Sequence, residues 1–119
     1  MLVVLLLYWP AIFVATHLPI PQLIRQAGVS DKILHFVAYF VLVFLLWFTL
    51  IPESKVSWRK PKAWWILLAL VCYGLMDEVL QIYVGRNCDA PDFLANLTGA
   101  VAGLILFTFL SFWPALLVV

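Results

Sequence analysis

Residues 31–51 read DKILHFVAYFVLVFLLWFTLI: three ionisable side chains, Asp31, Lys32 and His35, open the stretch, and no charge follows. As a helix rising about 1.5 Å per residue, a run of this length matches a bilayer hydrocarbon core of about 30 Å. The stretch therefore reads as a membrane-spanning helix with a polar entrance. Its neighbours repeat the pattern. Apolar residues dominate Leu2 to Thr16, Ala63 to Val84 with one polar interruption, and Phe93 to Val119. The whole chain of 119 residues is 66% hydrophobic and 11% charged, with seven basic and six acidic side chains and a net charge of +1. A soluble domain carries about a quarter of its residues charged. Lipid is thus the expected solvent, and low charge without a basic tract excludes a nucleic-acid partner and a disordered chain.

The fold expected is all-α: a bundle of four transmembrane helices at about residues 2–18, 32–51, 63–84 and 92–113, in one domain over 1–119. The first is the shortest and contains Pro10. It reads as a helix rather than a cleaved leader, since no basic segment precedes it and no small-residue cleavage site follows. Loop chemistry lies between the runs: Pro19, Pro21 and Gly28, then Pro52 and Pro61, then Gly85 and Pro91. Ser30 is placed to cap the second helix, and Asp89 with Asp92 resembles a capping pair for the fourth.

Lys55, Arg59, Lys60 and Lys62 crowd one loop, against Arg25, Lys32 and Arg86 spread over the other two. The positive-inside rule puts the dense cluster, and with it both termini, in the cytoplasm. Trp47, Trp58, Trp64, Trp65 and Trp113 then fall at the cytoplasmic interface, whereas Trp9 does not. Cys72 in mid-membrane and Cys88 in the third loop are too far apart for a mutual disulfide.

Antiparallel alternation carries the functional reading. It brings the start of the second helix, the end of the third and the start of the fourth to one side, in either orientation. Those ends hold Asp31, Lys32, His35 and Tyr39; Asp77, Glu78 and Gln81; and Asp92 and Asn96, with Arg86 and Asp89 in the joining loop. Asp31, His35 and Tyr39 share a helix face at i, i+4 and i+8, and Asp77 and Gln81 share another. Asp92, Asn96, Gly99 and Gly103 form a polar stripe that becomes small, and the glycines let two helices approach closely. Asp77 lies about 10 Å inside the surface if its helix ends near Val84. An acid at the centre of a membrane helix costs about 2.5–3.5 kcal/mol, so such residues usually have a partner or a role.

Together, Asp31-Lys32-Ile33-Leu34-His35-Phe36, Asp77-Glu78-Val79-Leu80-Gln81 and Arg86-x-x-Asp89-x-x-Asp92-x-x-x-Asn96-x-x-Gly99 resemble the VanZ-like family of small bacterial membrane proteins. The motifs occur on three helices in the family's order. The family's short Ser-rich turn ending in proline reads Thr16-His17-Leu18-Pro19 here. The resemblance implies a multi-pass protein of the bacterial cytoplasmic (inner) membrane. It also implies a link to the cell envelope, the family being named for a protein associated with low-level teicoplanin resistance. It implies no reaction.

The expected function is a polar site at the outer-leaflet side that binds the headgroup of a membrane lipid or a lipid-linked cell-wall precursor. Arg86 would hold a phosphate, Gln81 and Asn96 would hydrogen-bond it, and Asp31, Lys32, Tyr39, Asp89 and Asp92 would complete the site. If bond breaking follows, His35 is the better base and Asp77 or Glu78 the better acid. No familiar nucleophile or zinc-hydrolase signature is present. A divalent metal is a variant, because Asp31, His35, Asp77, Glu78, Asp89 and Asp92 supply ligand atoms without diagnostic spacing. The alternatives are a non-enzymatic transporter or interaction subunit, whose buried acids relay protons, whose Gly99 and Gly103 face pairs with another helix and which as a transporter would need to be a homo-oligomer, and a polar layer that only assembles the fold.

Overall fold

A computed structural model describes residues 1–18, 26–50 and 59–111, with backbone alone for 59–61. The described residues are helical and contain no strand. In chain order they form α1 (Leu2–His17), α2 (Asp31–Leu50), α3 (Arg59–Gln81), a 3-10 turn over Ile82–Val84, and α4 (Ala90–Ser111). Three spans, Asp31–Leu50, Lys62–Val84 and Ala90–Ser111, are long and apolar enough to cross a membrane. α1 has 16 residues. That is about 24 Å of helix, shorter than a typical hydrocarbon core.

Helix boundaries follow local chemistry. Ser30 occupies the cap position of α2, its carbonyl accepting from the N–H groups of Ile33 and Leu34 at 3.1 and 3.3 Å. α3 starts at Arg59 rather than near residue 63. Pro61 lies in that first turn, where backbone N–H groups have no helical partner and proline loses nothing. At the far end, Gly85 has φ +77°, its N–H bonding Ile82 O at 3.2 Å while the Arg86 N–H reaches Gln81 O at 3.0 Å. This pair of bonds is a Schellman closure, which needs the left-handed conformation glycine adopts freely. It turns the chain so that Arg86 comes back over the end of the bundle. At the other end, Lys62 Nζ donates to Leu50 O at 2.7 Å and caps α2.

α2 is the central helix. It packs most extensively on α4 and also meets α1 and α3. Leu42 and Val43 have no exposed surface. The α2–α4 contact is close because Gly99 and Gly103 face α2: a Cβ on Gly99 would stand 2.2 Å from the Phe36 carbonyl oxygen, and one on Gly103 would stand 3.1 Å from Val43 Cβ. The small stripe is therefore occupied within the chain itself. Further along, Phe107 of α4 sits among Phe40, Phe44 and Phe48 of α2, with ring centroids 5.4–6.0 Å apart. α1 is attached by Tyr8, whose hydroxyl donates to Ala38 O at 3.0 Å, and by Trp9, which meets Tyr73 edge-on at 5.4 Å.

The outer faces remain apolar: Leu7, Trp64, Trp65 and Ile105 are all well over half exposed, as expected of side chains that face lipid. Trp64 and Trp65 fit the expected interfacial belt. Trp47 does not. It is buried in the core with Leu46 and Ile66, because its ring faces into the bundle, where a large aromatic buries more area than at the interface. Cys72 and Cys88 are free thiols. The expectations placed on Pro19, Pro21, Arg25, Pro52, Lys55, Trp58 and Trp113 lie outside the described residues.

Candidate functional site

The ends of α1, α2, α3 and α4 that meet at one face of the bundle carry a nearly continuous polar layer. Burial comes first. Asp77, Glu78, Gln81, Asn96, His35 and Asp92 are each at most 5% exposed. In a membrane chain such groups need one another, since neither lipid nor bulk water satisfies them.

Asp77 is held from two helices. Thr16 Oγ1 donates to its Oδ1 at 3.0 Å, and Gln81 Nε2 donates to its Oδ2 at 3.2 Å. His17 Nδ1 lies 3.7 Å from the same carboxylate, while donating to Phe13 O at 2.8 Å. Glu78, the next residue, turns toward α4, where its Oε2 accepts the Asp89 N–H at 3.3 Å. In a capping box that N–H would be taken by the side chain three residues on, Asp92. Here Glu78 takes it. Asp92 is released from the expected capping pair and points into the site.

Asp92 and Asp31 flank His35. Its Nε2 is 3.8 Å from Asp92 Oδ2 and 3.9 Å from Asp31 Oδ2, and its Nδ1 is 2.9 Å from Asn96 Oδ1. Two cations close the layer: Lys32 Nζ lies 3.5 Å from Asp92 Oδ1, and Arg86 Nη2 lies 3.5 Å from Asp31 Oδ2. Arg86 Nη1 also donates to Thr16 O. That carbonyl is one of those a helix leaves unpaired at its C-terminus, where a cation is also favoured by the helix dipole. Arg86 thus joins α1 to α2 with two of the five N–H donors a guanidinium carries.

Below this layer lies a cavity of about 220 Å³ between α1, α2 and α3. Thr16, Asp31, His35, Asp77 and Arg86 line its polar end. Ile12, Ala15, Leu34 and Ala38 make an apolar wall, and Tyr39 and Tyr73 stand deeper. The Tyr39 and Tyr73 hydroxyls are buried with no hydrogen-bond partner among the described residues, as are Glu78 Oε1, Gln81 Oε1 and Asn96 Nδ2. A buried polar atom without a partner costs about 1–3 kcal/mol, and two of these, the Tyr39 and Tyr73 hydroxyls, belong to residues that line the cavity.

Of the expected side chains, those of Asp31, Lys32, His35, Asp77, Glu78, Gln81, Arg86, Asp92 and Asn96 gather in this layer, Tyr39 stands deeper at the cavity, and Asp89 takes part through its backbone N–H. Thr16 and His17, quoted in the sequence only as part of the family's turn and given no role, join the layer, and Tyr73, which the sequence reading left out, stands beside Tyr39 at the cavity. Tyr73 carried a signal, standing one turn before Asp77 on the stripe that continues to Gln81.

No curated protein and no solved structure matches the chain. The family model described as VanZ/LLP1 matches residues 2–111, which takes in all four helices and every residue of the polar layer. The chain belongs to the VanZ/LLP1 family.

Proposed function

We propose that this protein of the bacterial inner membrane binds, at its outer-leaflet side, the polar headgroup of a lipid or lipid-linked envelope molecule, and through it influences sensitivity to glycopeptides such as teicoplanin. The cavity between α1, α2 and α3 carries the reading. It is amphipathic in the sense a lipid is: Arg86, Asp31, His35 and Asp77 at one end, Ile12, Ala15, Leu34 and Ala38 along the wall. Ala15 and Leu34 are exposed, and on membrane helices an exposed side chain faces acyl chains. A headgroup can enter between α1 and α2 while its tails stay in the bilayer. Arg86 and the unpartnered Tyr39 and Tyr73 hydroxyls supply donors for a phosphate, a headgroup acceptor common to membrane lipids.

A one-sided site fits better than a pathway for transport. Toward the basic loop the described core closes on Leu42, Val43, Leu46, Trp47, Leu70 and Phe107. The glycine stripe that could have paired with another subunit is covered by α2.

Mass spectrometry of lipids retained by gently purified protein tests the proposal, with Ala15→Trp and Arg86→Ala beside the parent chain. Ala15→Trp fills the cavity and leaves every polar group in place. The parent should retain a specific phosphate-bearing lipid that both variants lose, and cells producing Ala15→Trp should shift in teicoplanin sensitivity. An identical lipid profile in all three proteins would overturn the reading.

A further inference from the structure

At the mouth of the cavity one nitrogen and two carboxylates converge. Asp31 and His35 stand one turn apart on α2, and Asp92 comes from the first turn of α4. One ligating atom from each lies within 4.8 Å of the others. His35 Nε2 is 3.9 Å from one carboxylate and 3.8 Å from the other, beyond hydrogen-bond range, although the residue is only 4% exposed. Nδ1 meets Asn96 Oδ1 at 2.9 Å. An amide oxygen only accepts, so Nδ1 donates to it, and Nε2 is the ring atom turned toward the two carboxylates. Two carboxylates aimed at one point repel one another, and a cation held between them and the ring nitrogen removes that repulsion.

We propose that Asp31, His35 and Asp92 bind a divalent transition-metal cation of the Zn²⁺ or Mn²⁺ type. One imidazole nitrogen with two carboxylate oxygens suits these ions, whereas Ca²⁺ and Mg²⁺ favour all-oxygen sets. Tetrahedral bonds of about 2.1 Å place ligand atoms about 3.4 Å apart. Small side-chain rotations therefore close the present spacing. The surroundings match a metal site as well. A ligating histidine usually donates its other N–H to a fixed acceptor, the part Asn96 plays here. Lys32 and Arg86, each 3.5 Å from a ligand carboxylate, hold those carboxylates in place and offset their charge. Three protein ligands leave a coordination position open. Asp31 and His35 both line the cavity, so that position faces it. The cation site stands whether or not the cavity takes a lipid headgroup.

The test uses the full chain in detergent, stripped with a chelator and titrated calorimetrically with Zn²⁺ and with Mn²⁺. Metal content of unstripped protein is measured in parallel. Stoichiometric saturable binding of at least one of the two ions is expected. Asp31→Asn and Asp92→Asn should each weaken it at least about tenfold, and Asn96→Ala by about 10–100-fold, the usual effect of losing a partner of a metal-bound histidine. Glu53→Gln, remote in the sequence from all three ligands, should bind as the parent does. Asp31 is partly exposed, so Asp31→Asn remains informative even if His35→Gln does not fold; thermal unfolding of each variant checks this. Absence of saturable binding in the parent overturns the proposal. So does undiminished binding in both Asp31→Asn and Asp92→Asn, or a loss in Asp77→Asn that Asp31→Asn does not share.

Discussion

Thr16 Oγ1 donates to Asp77 Oδ1 at 3.0 Å, joining the last turn of α1 to a carboxylate in α3 that has no exposed surface. The bond gives the shortest helix a polar anchor at the site, beside the Arg86 bond to Thr16 O. Thr16→Val keeps the shape of the side chain and removes the donor. The loss should be about 1–3 kcal/mol, the cost of leaving a buried acceptor short of a partner. Thr16→Ser should recover most of it. Thermal unfolding in detergent reads the difference, and equal midpoints for Thr16→Val and the parent would show that Asp77 is satisfied without α1.

The polar layer is legible in the sequence because it depends only on the order of long apolar runs and on which of their ends hold ionisable residues. The same alternation puts Thr16 and His17 on that side too. They stand out there only as the family's turn and receive no site role, because the first run ends without a carboxylate or a lysine to mark one. Trp47 and the Asp89–Asp92 pair fail for another reason. Tryptophan near a helix end serves the interface or the core equally well, and a local capping pair gives way when a buried Glu78 from another helix can reach the same N–H. Such choices are made by tertiary packing, which residue spacing does not encode.

Gly99 sets the distance between α2 and α4 and therefore the bond between His35 and Asn96 one turn away. The Cβ of Gly99→Ala would stand 2.2 Å from a backbone oxygen, which cannot yield as a side chain does. Overpacking of this kind costs about 1–3 kcal/mol. Gly103→Ala, which meets the Val43 side chain at 3.1 Å, should cost less. The ordering of the two unfolding midpoints is the measurement. Equal effects would mean that the helices slide apart as a unit and that Gly99 holds no special place.

Gly85 has φ +77° with open space where a Cβ would be, so Gly85→Ala incurs backbone strain and no clash. About 1 kcal/mol is expected for a side chain held in that conformation. The larger consequence concerns Arg86, which that turn delivers to Thr16 and Asp31. If the turn relaxes, Gly85→Ala should lose retained lipid as Arg86→Ala does while its unfolding midpoint falls only slightly. A midpoint shift with full lipid retention would separate the turn from the site.

The free thiols report which way the bundle faces. Cys88 is exposed in the segment between the 3-10 turn and α4, at the polar end, while Cys72 is exposed on α3 nine residues before its end at Gln81. That depth is about 14 Å along the helix, where a charged reagent does not reach once the helix crosses a bilayer. A membrane-impermeant maleimide applied to intact spheroplasts should therefore modify Cys88 alone. Cys88→Ser should abolish labelling and Cys72→Ser leave it unchanged. The basic cluster around Lys62 would then face the cytoplasm, with Trp64 and Trp65 at that interface. Labelling of Cys88 only after permeabilisation would invert the bundle, place Asp31, His35 and Arg86 at the cytoplasmic leaflet, and restrict the headgroups that could reach them to those of the inner leaflet.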